Sequence, residues 1–249
     1  MRILLVNGNT SDEVTETLAG VARDAAGPDT EITWATGAFG VRLIGHRAEA
    51  SLAEHAVLER IAEHADTVDG VLIGVSGDTA LRAARAMVDV PVVGMTEAAM
   101  LMACMLGGRF GLITFSTPST PLYRELVESH GLMARLAGMR TIDVTFAQAF
   151  GERDSMTAPI LEAADALIGE DGAETLIVVG AAGAGLAANL QPRVPVPLLD
   201  GITCGVLLVE ALIRLGAPKP TRGSYALPPG NLVKGLSAVL TDRLKAHDS

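Results

Sequence analysis

Apolar residues along this chain gather in short continuous runs. Ile3–Val6, Val71–Ile73, Val92–Val93, Gly111–Thr114, Leu176–Val179 and Pro197–Leu199 are such runs, and several close on Asn, Gly or Asp. Runs of this length, rich in Val, Ile and Leu, predict strands buried on both faces of a parallel sheet. Between them the apolar positions change to helical spacing. In "SDEVTETLAGVARDAAG" Val14, Leu18 and Val21 share one face, Ser11 is the predicted N-cap, Asp12 and Glu13 fill the first turn, and Gly27 is the stop. "SLAEHAVLERIAEHA" places Leu52, Leu58 and Ile61 similarly, and "STPLYRELVESHGL" has Pro121 early and Gly131 at its end. Strands alternating with helices predict an α/β fold.

The runs also repeat. Residues 2–10, "RILLVNGNT", resemble 109–117, "RFGLITFST"; "GVLIGVSG" from Gly70 resembles "LIVVGAAG" from Leu176; "VPVVGMTEA" from Val90 resembles "VPLLDGITC" from Val196. The three pairs share nearly one offset, which predicts two similar parallel-sheet α/β lobes related by a pseudo-twofold duplication. Residues 1–105 with 216–249 form the first expected lobe and 106–215 the second. The end "NLVKGLSAVLTDRLKAH" is amphipathic and is expected to pack back across the first lobe.

Composition narrows the function classes. The chain of 249 residues has formal net charge −10 and only 3% aromatic residues, with no basic patch, so a nucleic-acid partner is not expected. No apolar run reaches the roughly 18 residues that span a membrane. The start "MRILLVNGNTS" reads as a first strand rather than a signal peptide, which points to the cytoplasm. Cys104 and Cys204 form no CxxC and no metal-ligand spacing, so neither a disulfide framework nor a metal site is expected.

Ligands of open α/β sheets bind beyond the carboxyl ends of strands. Two facing lobes would build such a site from four loops: Asn7–Ser11, Val75–Thr79, Thr114–Ser119 and Gly180–Gly185. Their small polar residues offer N–H groups and hydroxyls to a carboxylate or an imide oxygen. The expected binding residues are Asn7, Asn9, Thr10, Ser76, Gly77, Thr114, Ser116, Thr117, Ala182 and Gly183. None of the four loops contains Arg or Lys. "GAAGAGLAANL" mimics a dinucleotide fingerprint through Gly183, Gly185 and Ala188. The prolines that follow it and its late place in the chain favour tight packing as the use of these glycines.

The segments "ILLVNGNTS", "GVSGDTALRAARAMVDVPVVGMTEAAM", "RFGLITFST" and "DGAETLIVVGAAG" followed by "VPLLDG" resemble the aspartate/glutamate racemase superfamily, in its hydantoin and allantoin racemase branch. The resemblance runs nearly the full length. It implies two α/β lobes around a small substrate, no cofactor, a homo-oligomer, and two cysteines, one per lobe, that take and return the proton of the substrate α-carbon. The positions that would carry those cysteines are Val75 and Ala181. Neither residue can move a proton, so the two-thiol mechanism is not expected. Cys104 and Cys204 lie in apolar segments outside the four loops.

Three readings stay open. A cysteine-independent carbon-acid enzyme, of isomerase or lyase type, would act on a small carboxylate or cyclic imide through an enolate-like intermediate. Its catalytic candidates are Ser76 and Asp78, with His46 and Glu97 as accessory groups and Tyr123 as a further candidate. Asp78 is equally a cap for the helix beginning "TALRAARAM". A non-catalytic binder of the same ligands is the second reading. An inactivated or engineered racemase is the third.

Overall fold

Two four-stranded parallel sheets form the framework of the computed structural model, which describes residues 1–245. The first half contains β1 (Arg2–Asn7), α1 (Asp12–Ala25), β2 (Glu31–Thr36), α2 (Arg47–His64), β3 (Gly70–Ile73), α3 (Leu81–Met87), β4 (Val92–Gly94) and α4 (Met95–Leu106). The second contains β5 (Phe110–Thr114), α5 (Thr120–Ser129), β6 (Leu136–Thr141), α6 (Phe146–Phe150), α7 (Thr157–Gly169), β7 (Thr175–Val178), α8 (Gly180–Gly183), α9 (Leu186–Leu190), β8 (Leu198–Asp200) and α10 (Gly201–Leu215). A last helix, α11 (Ala238–Leu244), packs on α2. The amphipathic C-terminal segment read from the sequence runs on to residues 246–247, which lie outside the described residues.

The sheet orders are β2-β1-β3-β4 and β6-β5-β7-β8, so the two lobes repeat one topology. All six predicted runs are strands. The sequence did not reveal β2 and β6, and both are edge strands. "EITWAT" and "LAGMRT" mix apolar with polar residues because each is partly exposed. Central strands, covered on both faces, keep the continuous apolar run. The ladders also adjust the repeat. Val6 pairs with Ile73 and Ile113 with Val178, which places the β3 and β7 ends one residue away from the sequence match.

Each sheet is covered on both faces. On the first, Leu4, Val6, Val71 and Ile73 face α2 and α3, while Ile3, Leu5 and Leu72 face α1 and the molecular centre. Two helices cross between the lobes. α4 starts directly after β4, and α10 directly after β8, so neither has a loop in which to turn back. Each crosses toward the other sheet, and the two pack on each other. Thus α10 covers the first sheet, where a Cβ on Gly70 would fall 2.6 Å from Val209. α4 reaches the second, where the Thr175 hydroxyl donates to the Ala103 carbonyl. The exchange fuses the lobes into one apolar cluster containing Leu5, Met100, Phe110, Ile177 and Val206.

Candidate active site

The carboxyl ends of both sheets open onto one cavity of about 230 Å³. The first lobe contributes Asn7 at the end of β1, Asn9 after it, Leu43 to Gly45 before α2, and Gly74 to Ser76 after β3. The second contributes Phe115, Ser116 and Ser119 after β5, Tyr123 on α5, and Val179 to Ala182 around the start of α8. A further wall comes from the segment after β6: Asp143 to Phe146, Ala149 and Phe150.

Asn7 and Asn9 are almost fully buried and locked by a defined network. The Asn7 side-chain nitrogen donates to Asn9 Oδ1 at 2.8 Å and to Thr15 Oγ1 at 2.9 Å. Asn7 Oδ1 accepts the Asn9 N–H, and Asn9 Oδ1 accepts the Ser11 N–H. A backbone N–H can only donate, so both amide orientations are fixed. The oxygen of Asn9 is held by the loop, and its NH2 is the side left for a ligand. Thr10 is exposed, and its N–H donates to the Val41 carbonyl, which ties down the loop leading to Leu43.

Ser76 and Tyr123 meet from opposite lobes. Burial pushes the Tyr123 hydroxyl up to about 12, only partly offset by the neighbouring Ser76 side chain. It is therefore a neutral donor at physiological pH. Asp143 is the carboxylate of the cavity wall. The Thr117 N–H and hydroxyl each donate to it at 2.8 Å and hold its carboxyl below the usual range. Among the described residues no Arg, Lys or Cys lines the cavity.

Its remaining surface is apolar and aromatic. Phe115, Tyr123, Phe146 and Phe150 are half of the chain's eight aromatic residues. The rings of Phe146 and Phe150 lie 4.8 Å apart between centroids. Arg42, from the loop before α2, stacks over Phe146 at 4.4 Å, and Arg47 forms a two-pronged ion pair with Glu125 at 2.6 and 2.5 Å. Both contacts cross between the lobes.

Of the residues read from the sequence, Asn7, Asn9, Ser76, Ser116, Tyr123 and Ala182 line the cavity, as do Val75 and Ala181. The others do not. The Thr114 hydroxyl is buried against those of Thr120 and Thr141. Thr117 holds Asp143. Gly77 faces away, and Gly183 packs where a Cβ would strike Val178 at 2.7 Å. His46 is exposed and caps α2, its N–H donating to Glu49. Glu97 is buried in a double ion pair with Arg85, at 2.9 and 2.5 Å, with His130 at 3.5 Å. Asp78 is buried and accepts from the N–H groups of Thr96 and Glu97. It caps α4, not the helix that follows it in sequence. Cys204 lies outside the cavity, its thiol pushed up to about 12 by burial and by Asp200. Cys104 sits on α4, also outside it.

Sequence reasoning missed Asp143, Phe146, Phe150, Leu43 and Ile44. A signal for α6 was present: Thr145 and Gln148 form a reciprocal capping box ahead of the two phenylalanines. Among the described residues no cluster of three or more His, Cys, Asp or Glu could hold a metal ion. No described helix is long and apolar enough to cross a membrane.

Paired parallel-sheet lobes with one cleft at their strand ends are the architecture that the racemase resemblance implies. Residues 3–209 match the Asp/Glu/Hydantoin racemase family, and the chain belongs to it. It is 28% identical over 229 residues to the hydantoin racemase of Pseudomonas sp. (strain NS671), covering 92% of each chain. Among solved structures it is similar to the allantoin racemase from Klebsiella pneumoniae, at 32% identity and TM-score 0.91, covering 96% of this chain and 98% of that one. It is also similar to the allantoin racemase from Pseudomonas fluorescens, at 33% identity and TM-score 0.89, covering 94% and 100%.

Proposed function

We propose that this protein is a carbon-acid enzyme that acts, without a thiol pair, on a neutral cyclic imide or amide bearing an apolar substituent. The observation that carries the reading is the composition of the cavity wall: neutral donors, one carboxylate, several aromatic rings, and no Cys, Arg or Lys. A ligand carboxylate would face Asp143 with no counter-ion, so the wall favours an uncharged ring over a small carboxylate. The names of the hydantoin and allantoin racemases point to the same ring chemistry.

The division of labour follows from ionisation. Tyr123 and Ser76 donate to a ring carbonyl oxygen, and those bonds strengthen as the oxygen gains charge in an enolate-like transition state. Asn9 offers its NH2 to a second carbonyl. Asp143 is the lining group that is ionised at neutral pH, and it takes the carbon-bound proton. Returning that proton, or one from water, to the same carbon completes exchange. The resemblance assigns the family's two thiol positions to Val75 and Ala181.

The second reading is a binder that does not turn its ligand over. It is favoured by one observation, that Asp143 is already committed to two hydrogen bonds from Thr117 and is a weakened base. Incubation with 5-benzylhydantoin in D2O separates the two. Loss of the ring-carbon proton signal faster than in buffer, abolished in D143N, supports the enzyme. Calorimetric binding with exchange no faster than in buffer supports the binder. The absence of both sinks the proposed ligand class.

A further inference from the structure

The loop after β3 is held in an unfavourable backbone conformation. Asp78 (φ +48°) and Ala80 (φ +64°) are the non-glycine residues with positive φ among the described residues, and they stand two apart. Such conformations persist where surrounding contacts impose them. Here the contacts come from the first turn of α4. Asp78 Oδ1 accepts the Thr96 N–H at 3.0 Å, and Oδ2 accepts the Glu97 N–H at 2.7 Å. These are N–H groups that a helix start leaves unpaired, and they favour a negative acceptor. The Thr96 hydroxyl reaches back to the Ser76 carbonyl at 2.7 Å. Gly94 makes room, since a Cβ there would fall 2.8 Å from that of Asp78. Residues 76 and 78 are therefore gripped together by a helix that is itself fixed at the lobe boundary.

We propose that Asp78, with Thr96 and the first turn of α4, is a latch that positions Ser76 against Tyr123 in the cavity. The inference rests on the reading of the cavity as a ligand site. An amide at position 78 keeps one accepting oxygen, so in D78N one of the two N–H groups loses its partner and the strained loop loses half its anchor. Burial pushes the Asp78 carboxyl up to about 7, against the pull of the two N–H groups. The charged and titratable groups that face it are Glu97 from α4, which raises it, Arg85 from α3, which lowers it, and Tyr123 from α5. His130 and Arg85 in turn face Glu97.

The test uses the full chain, with D78N, T96V and the conservative T96S. Two readouts are taken: amide hydrogen exchange of residues 74–80, corrected for intrinsic rates, and calorimetric affinity for 5-benzylhydantoin at about pH 8, where a carboxyl raised to about 7 is mostly ionised. D78N should bind about tenfold more weakly than wild type. T96V should weaken binding while T96S restores it. Exchange should quicken in D78N and in T96V. Wild-type affinity in D78N, or unchanged exchange in both variants, overturns the latch. If the wild type binds no hydantoin, the ligand reading has failed. The exchange comparison then decides the latch alone, supporting it if residues 74–80 loosen and overturning it if they do not.

Discussion

The hydroxyl of Tyr123, on α5, meets the side chain of Ser76, on the loop after β3, with Gly180 beside both. A Cβ on Gly180 would lie 3.3 Å from the Tyr123 oxygen and 3.6 Å from the Ser76 Cβ, and the residue has φ +78°. The positive φ favours glycine there, and a Cβ would fit only tightly. One donor comes from each half of the duplicated fold, so their meeting depends on how the lobes are fused.

Removing the Tyr123 hydroxyl should weaken binding more than folding. The ring packs in the central core and would stay in Y123F. Affinity for 5-benzylhydantoin is expected to drop about five- to tenfold, the worth of one lost hydrogen bond, with little change in melting temperature. Calorimetry and a thermal melt read the two effects separately.

Restoring thiols tests the reading of Val75 and Ala181. Both positions line the cavity, one from each lobe, and Cys is smaller than Val. The V75C/A181C double variant should gain proton exchange at the hydantoin ring carbon in D2O, well above either single variant. No gain in the double variant, with binding intact, would remove these two positions from the chemistry.

The aromatic wall should set substituent preference. Truncating Phe146 and Phe150 to alanine is expected to cost 5-benzylhydantoin at least tenfold in affinity, since each ring buries a large apolar area. Unsubstituted hydantoin should change less than about twofold, because it leaves that wall unused. Equal losses for both ligands would argue that α6 shapes the whole cavity rather than one pocket.

The half-buried pair Arg85–Glu97 should matter for stability. E97A leaves the Arg85 guanidinium without its carboxylate and is expected to destabilise by about 2 kcal/mol, less than for a fully buried pair. Urea unfolding measures this directly. The variant should remain folded at room temperature, and its cavity walls are not in contact with the pair.

Asp78 should give stability an unusual pH dependence. Its carboxyl titrates near 3.8 in the unfolded chain and near about 7 in the fold. Between these values the native state binds the extra proton. Its contribution to stability therefore falls as pH rises from about 4 to about 7 and is level above, by a few kcal/mol in all. The difference between wild type and D78N in urea unfolding should follow that course. D78N should be no less stable than wild type at alkaline pH, even though its loop is looser.

The strand cores were legible in the sequence because burial on both faces removes polar residues from the run. Leu4 and Leu5 point to opposite faces and are both fully buried. Edge strands such as β2 obey a half-exposed pattern that short windows confuse with loops. The repeat made the paired lobes legible, but not the crossing of α4 and α10, which depends on missing loops rather than on residue type. Within the cavity, periodicity locates strand ends but not which loop side faces the other lobe. Ser76 and Asp78 are two apart; one lines the cavity and the other caps a helix. Asp143 and Phe146 follow an edge strand that the pattern concealed, so they stayed hidden with it.

Gly94 and Asp78 occupy one shared volume, and that ties their histories together. A side chain at 94 can be accommodated only if the carboxylate at 78 withdraws, and once it withdraws nothing preserves glycine at 94. Among relatives of this chain the two positions should therefore change as a pair. A lineage that keeps the aspartate but has lost the glycine would have to hold its active-site loop by other means.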